Sequence, residues 1–304
     1  MVEGEFSAEI AAISIAGHEL WHQLQGDPPE ILYHYTNVEG LVGIVSSGAL
    51  WATDLRFVND ASELDHALES MLTAIARARI PFSSPVQLML LDRLEDVIGQ
   101  RAMFPSVHSV SFSADGDLLS QWRAYGGDGG GYAIGFAALD LRPDFTGGVP
   151  AGGGAIHRVV YDQATQDQLL DDVIAEGCEL TERIDQRGGN TERAATALVA
   201  RLLSGSESGL FYCLKAEGWS EEAEWRTVYA LNETVNPGVE FRTVAGIPVP
   251  YLPLYDIRKR LPIREVAVGP STSQPIAETA VRTLLDRYGY TDVDIRISAL
   301  PLRW

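Results

Sequence analysis

The sequence predicts an α+β protein with mixed or antiparallel sheets, flanking helices and a helical insertion. Strand-like and helix-period runs follow one another without the regular strand–helix–strand beat of a doubly wound parallel fold. Of the 304 residues, 46% are hydrophobic, enough for the core of one large domain or two small ones. No repeat and no low-complexity linker divides the chain. The expected organisation is an N-terminal helix within residues 1–30 and a single domain over 31–304, with the insertion near 163–205.

Residues 7–24 predict the first helix, with Ser7 as N-cap, apolar positions at Ile10, Ile13, Leu20 and Leu24, and GDPPE at 26–30 as its stop. ILYHY at 31–35 is a short aromatic-rich strand. Asn37 then caps a helix with Val38, Leu41, Ile44 and Val45 at helical spacing, and Gly48 closes it. ALWATD at 49–54 is extended. Residues 60–79 and 84–102 are helical, the second opened by Ser84 and Pro85. VHSVSFS at 107–113 is a strand. Asp117 caps the short helix DLLSQWRAY, and GGDGGG at 126–131 loops into the strand GYAIGF at 131–136. HRVVY at 157–161 is a strand, and helices near 163–184 and 190–204 make the insertion. EWRTVYAL at 224–231, residues 239–244 and 248–252, and REVAVGP at 264–270 are strands; a helix over 273–288 and the strand DIRIS at 294–298 end the chain.

The charge limits the partners. The 42 acidic and 23 basic residues give a net charge of −19, so the average surface repels a long nucleic acid. No apolar run approaches the length of a membrane span. The acidic N-terminus MVEGEFSAE lacks the pattern of a signal peptide, and a cytoplasmic location is expected. Only Cys178 and Cys213 occur, without the spacing of a zinc ribbon or a disulfide framework.

Several short motifs carry chemistry. HELWH at 18–22 matches H-E-x-x-H, which on a helix sets His18 and His22 on one face to hold zinc, with Glu19 as general base. Too little chain precedes it for the strands of a metalloprotease, and a chance match on an amphipathic helix is the plainer reading. GGDGGG and AGGGA at 151–155 lack the Lys-Ser/Thr of a phosphate loop and read as turns. His34 lies between Tyr33 and Tyr35, with Thr36 next, so several polar groups meet at one strand end. Asn59, Asp60 and Glu63 form N-D-x-x-E, which reads as a helix cap. Ser111, Phe112 and Ser113 end a strand. Beyond them come Gln121, Trp122, Arg123 and Tyr125; Trp122 and Tyr125 share a helix face, and Arg123 suits an anionic group such as a pyrophosphate. Glu222 and Glu224 fall on one face of the strand by alternation. Each motif alone is also explained by packing or solvation.

Taken in order, YHYT, NDxxE, SFS, QWRAYG, GGYAIGF, ExEWR and VAVGP resemble a large family of bacterial domains of unknown function, over about residues 31–270. That family in turn resembles the ADP-ribosyltransferase superfamily, whose members carry a His or Arg on a first strand, a Ser or Tyr near a second and a Glu on a later one. The resemblance implies that fold, with NAD as substrate and a protein or nucleic-acid acceptor. It also implies a role as a toxin or phage-defence effector and a cognate inhibitor protein as a further partner; with no apolar run of membrane-span length, no membrane partner is expected. By the same resemblance Glu224 stabilises the cationic ribose, Glu222 orients or deprotonates the acceptor, and His34 binds the ribose. Tyr35, Thr36, Ser111, Ser113, Gln121, Trp122, Arg123 and Tyr125 would line the cofactor. One departure stands out. Histidine-type members offer a second-strand tyrosine to stack on nicotinamide, where this chain has Ser111, Phe112 and Ser113; Tyr35, Trp122, Tyr125 or Tyr132 would have to replace it. A member that has lost catalysis and kept nucleotide binding is the first alternative. A zinc hydrolase built on HELWH is the second.

Overall fold

A computed structural model describes residues 19–58, 62–100, 106–127, 130–141, 156–204, 209–231, 238–244, 246–255, 260–271 and 273–301. His18 and the rest of the expected first helix up to it, Asn59, Asp60, the Glu63 side chain and AGGGA lie outside these. The described part of that helix is α1 (Glu19–Gln25).

The expected α+β class holds. After α1 come β1 (Ile31–Thr36), α2 (Val38–Ser47), β2 (Ala49–Asp54), α3 (Ser62–Ala78), α4 (Pro85–Gly99), β3 (Ser106–Ser113), α5 (Leu119–Tyr125) and β4 (Tyr132–Ala137). Then follow β5 (Ile156–Arg158), α6 (Gln163–Gln186), α7 (Thr191–Ser204), β6 (Glu224–Leu231), β7 (Glu240–Val244), β8 (Ile247–Tyr255), β9 (Ile263–Val268), α8 (Gln274–Arg287) and β10 (Asp294–Ile297). Local chemistry sets several ends. The Asn37 side chain accepts from Gly40 N, and Gly48 sits left-handed at φ 64° with its N–H on Ile44 O. Ser84 and Gln87 form a capping box across the first turn of α4, with Pro85 between them. Asp117 is not the cap of α5: Leu118 holds that position without a side-chain bond, and Asp117 instead accepts from Trp122 Nε1 at 2.9 Å and from Ser298 Oγ at 2.5 Å.

The strands run in the order β10-β9-β4-β1-β3-β2-β8-β7, with β6 branching from β3 and β5 pairing with β6. Every pair is antiparallel except β9 with β10. β3 is the hub. One edge pairs with β6 along its whole length, from Ser106↔Leu231 to Ser113↔Glu224. The other edge pairs with β1 at Tyr33↔Ser113 and with β2 at Thr53↔Ser109 and Asp54↔His108. Between those contacts, around Ser111, β1 and β2 diverge and the sheet splits.

Two cores flank the sheet. Leu32, Val110, Phe112, Ile134, Phe136 and Trp225 pack with Leu41 and Ile44 of α2 and Val281 and Leu285 of α8. On the other side, Leu90, Leu91 and Leu94 of α4 meet Leu169, Leu170 and Val173 of α6 and Leu198 of α7, with Met71 and Ile75 of α3. The helical layer is therefore larger than the 163–205 insertion: α3 and α4 complete it.

Candidate functional site

The 3₁₀ turn Glu217–Glu222 runs into Ala223, whose backbone is left-handed at φ 44°, ψ 48°, and β6 begins at Glu224. A residue with a Cβ in that region carries strain of about 1–2 kcal/mol. So Glu222 and Glu224 do not share a face by strand alternation. The kink aims both carboxylates at one point, the Lys215 ammonium, which lies 2.5 Å from Glu222 Oε2 and 3.2 Å from Glu224 Oε2.

Arg226 forks onto Glu224 through Nε to Oε1 at 2.9 Å and Nη2 to Oε2 at 2.7 Å, and its Nη1 donates to Tyr212 O. The Tyr161 hydroxyl accepts from Glu224 N at 3.0 Å, and Ser113 Oγ donates to Glu222 O at 2.8 Å. All four charged residues are buried, none more than 8% exposed. Two cations and two carboxylates leave the cluster neutral, the condition under which such charges tolerate burial. Burial pushes the Glu224 carboxyl up, but Arg226 and then Lys215 outweigh it and hold Glu224 at about 2. The carboxylate is therefore ionised at neutral pH.

The helical layer fixes this cluster. Gln166 of α6, fully buried, donates to Val160 O and Lys215 O, each at 2.8 Å, and its Oε1 meets His66 Nε2 of α3 at 2.9 Å. Every hydrogen-bonding group of that amide is used, which locks the segment carrying Lys215. A cavity of about 10 Å³ beside Arg226, between Leu55, Leu64, Phe211 and Tyr212, has room for about one water.

His34 lies at the split. Its side chain leaves β1 on the face of Phe112 and Ile134, opposite to the face of Glu224, Arg226, Ser111 and Ser113. Its Nδ1 donates to Ser111 O at 2.9 Å, which fixes the tautomer and leaves Nε2 as an acceptor. Burial, and then Arg242, hold His34 below its ordinary value. Thr36 ends β1 half-buried, so close to α2 that a Cβ on Gly40 would fall 1.9 Å from its Oγ1. The exposed Ser111 helps to lower Glu224 through its hydroxyl.

The predicted aromatics serve packing. Tyr35 and Trp122 are 5% and 3% exposed and meet edge-to-face at 4.7 Å in a small cluster with Ala133 and Ala267, against which Tyr125 packs. The Tyr35 hydroxyl donates to Asp115 O and accepts from Leu118 N, both at 2.9 Å. Tyr132 packs against the larger sheet core. Gln121 is buried on α5, whereas Arg123 is exposed, with no hydrogen bond or ion pair among the described residues. Gly130, after α5, is closely packed: it sits at φ 88°, and a Cβ there would fall 2.3 Å from Pro270 O.

Lys215 and Arg242 were not legible as site residues. The signal for Lys215 was its rarity, since Lys215 and Lys259 are the only lysines of the chain. For metal, no group of three or more His, Cys, Asp or Glu able to hold an ion exists among the described residues. His22 adds to the burial that holds His157 at about 4, and the His157 ring lies 5.4 Å from Trp21.

Residues 121–227 match the model of a family described as a protein of unknown function (DUF2971), in agreement with the expected likeness to a domain of unknown function. The match runs from Gln121 to Thr227 and takes in Lys215, Glu222, Glu224 and Arg226, while His34 and Ser111 fall before it. No curated protein and no solved structure matches the chain.

Proposed function

We propose that the chain is an ADP-ribosyltransferase-like enzyme that moves ADP-ribose from NAD to a protein or nucleic-acid acceptor, with NAD seated at the split between β1 and β2. The observation that carries this reading is the Glu224 carboxylate, held ionised at about 2 one strand away from the Ser111 split. Cleavage of the bond from nicotinamide to ribose sends its electron pair onto the departing nicotinamide and leaves the anomeric carbon cation-like. A fixed carboxylate stabilises that charge and accepts the ribose 2′-hydroxyl. The acceptor then bonds to the anomeric carbon and gives up its proton, for which Glu222, held with Glu224 on the Lys215 ammonium, is the base. His34, donating through Nδ1 to Ser111 O, keeps Nε2 as an acceptor. Its side chain leaves the sheet on the face opposite Glu224, so the ligand has to pass through the split for Nε2 to accept from a ribose hydroxyl. Glu224 is only 4% exposed, so the reading requires the Glu217–Glu222 turn to swing aside, with Ala223 as its hinge.

The same burial favours a second reading. A cluster whose charges are fully matched is also what a non-catalytic nucleotide-binding module of the same fold would keep. Incubation with NAD labelled in its adenylate half separates the two. The transferase gives labelled macromolecules and released nicotinamide, both abolished in Glu224→Gln, and His34→Ala weakens the reaction through KM. Thermal melts accompany both variants, because Glu224→Gln leaves Lys215 and Arg226 undercompensated. Nucleotide binding by calorimetry without nicotinamide release assigns the module. A wild-type protein that neither labels nor binds NAD sinks both.

A further inference from the structure

Arg242 is a cation without a counter-ion among the described residues. It lies on β7, half-buried, in a chain with a net charge of −19. Its Nη2 donates to Thr53 Oγ1 at 2.8 Å. Its guanidinium carbon lies 5.5 Å from the Trp51 ring centre and 5.8 Å from that of Tyr251, and the two rings stand 5.3 Å apart. Its Nε is buried with no acceptor. No carboxylate pairs with Arg242 among the described residues; Glu240, on the same strand, accepts from Tyr251 Oη at 2.7 Å. Arg226 shows the alternative, a buried guanidinium with a carboxylate on its fork.

A buried charge without a partner is costly, and an orphaned donor adds to that cost. Ring faces offset part of it. The guanidinium keeps unused donors, the buried Nε hydrogen among them, and its planar fork suits two oxygens of one anion. The position matters as well. Thr53 pairs with Ser109 across β2 and β3, next to the split, and the charge of Arg242 reaches His34. Aromatic walls around a guanidinium fork suit the phosphate of a ligand that also carries a flat, apolar group.

We infer that Arg242 anchors a phosphate group of the ligand at the split, with Thr53 aiming the guanidinium and Trp51 and Tyr251 walling it. The inference rests on the split being the ligand site and holds for a catalyst or a binding module alike.

Titration calorimetry with inorganic pyrophosphate, adenosine diphosphate and malonate tests it, on the wild type, Arg242→Met and Arg242→Lys, with melting curves for each. The wild type is expected to bind both phosphate compounds. Arg242→Met keeps the apolar stem between the rings, should lose roughly tenfold or more in affinity for both, and should melt no lower than the wild type without ligand, because the unpaired charge is gone. Arg242→Lys keeps the charge but not the fork, and should fall between. Unchanged binding in Arg242→Met overturns the inference, as does a drop in its melting point with no phosphate binding in the wild type, which makes Arg242 a packing residue. Malonate bound as tightly as pyrophosphate overturns the phosphate assignment. Arg242-dependent phosphate binding without NAD turnover sinks the transferase alone; turnover with phosphate binding that ignores Arg242 sinks this inference alone.

Discussion

Burial, before any partner, sets the ionisation of three histidines. His34, His108 and His157 are each held below 6.5 by it, His157 at about 4. The folded state keeps these rings neutral where the unfolded chain already binds protons. Stability is therefore full above 6.5 and falls as pH drops below it; the share due to His157 is spent by about pH 4. Melting temperature measured from pH 8 to pH 4 should decline, and His157→Gln should flatten part of that slope; an unchanged slope counts against the burial account. Glu224 extends the loss, since a carboxyl held at about 2 against its ordinary 4.5 contributes stability that disappears as pH falls between those values. At this scale the sequence was half legible. His34 and the Glu222/Glu224 pair stood out as motifs, whereas Arg242 looked like any strand arginine, because Thr53 lies 189 residues away along the chain.

Elements whose ends are decided by neighbours in sequence were legible: Asn37 and Gly48 around α2, and Ser84 and Pro85 at the start of α4. Asp117 shows where local reasoning ended. It has the chemistry of a cap and the right position, yet its carboxylate joins α5 to the segment after β10, through Trp122 Nε1, Ser298 Oγ and Ala299 N. Three donors on one carboxylate make it a joint between distant elements. Asp117→Ala should destabilise the protein by about 1–3 kcal/mol, the cost of leaving buried donors unmet, and speed amide exchange in both α5 and residues 297–300. Confinement of the change to α5 would return Asp117 to a cap. The branching of β3 was invisible for a different reason: alternation along 107–113 is the same whichever strands lie on either edge.

For the molecule as a whole, the charged cluster is a seam between the helical layer and the sheet. Glu224 and Arg226 belong to β6, Lys215 to the segment that Gln166 and His66 clamp from α6 and α3. No composition or periodicity could announce this, because the four charges close a neutral set only when the two layers meet. Their energetics are those of a set. Lys215→Met leaves Glu222 and Glu224 with Arg226 alone, and breaking a buried pair in this way costs about 3–5 kcal/mol. Glu222→Gln strands positive charge instead. The double variant restores neutrality, with Glu224 and Arg226 still forked. Denaturant unfolding of the wild type, both single variants and the double closes a cycle whose coupling should reach at least about 1 kcal/mol, the double being less damaged than the sum of the singles. Additive losses would mean that Lys215 and Glu222 act apart, and that the seam holds by its apolar contacts alone. If the coupling appears, the Lys215–Glu222 pair is also the latch on the Glu217–Glu222 turn, and the double variant, with that latch gone, should expose Glu224 to solvent without unfolding the sheet.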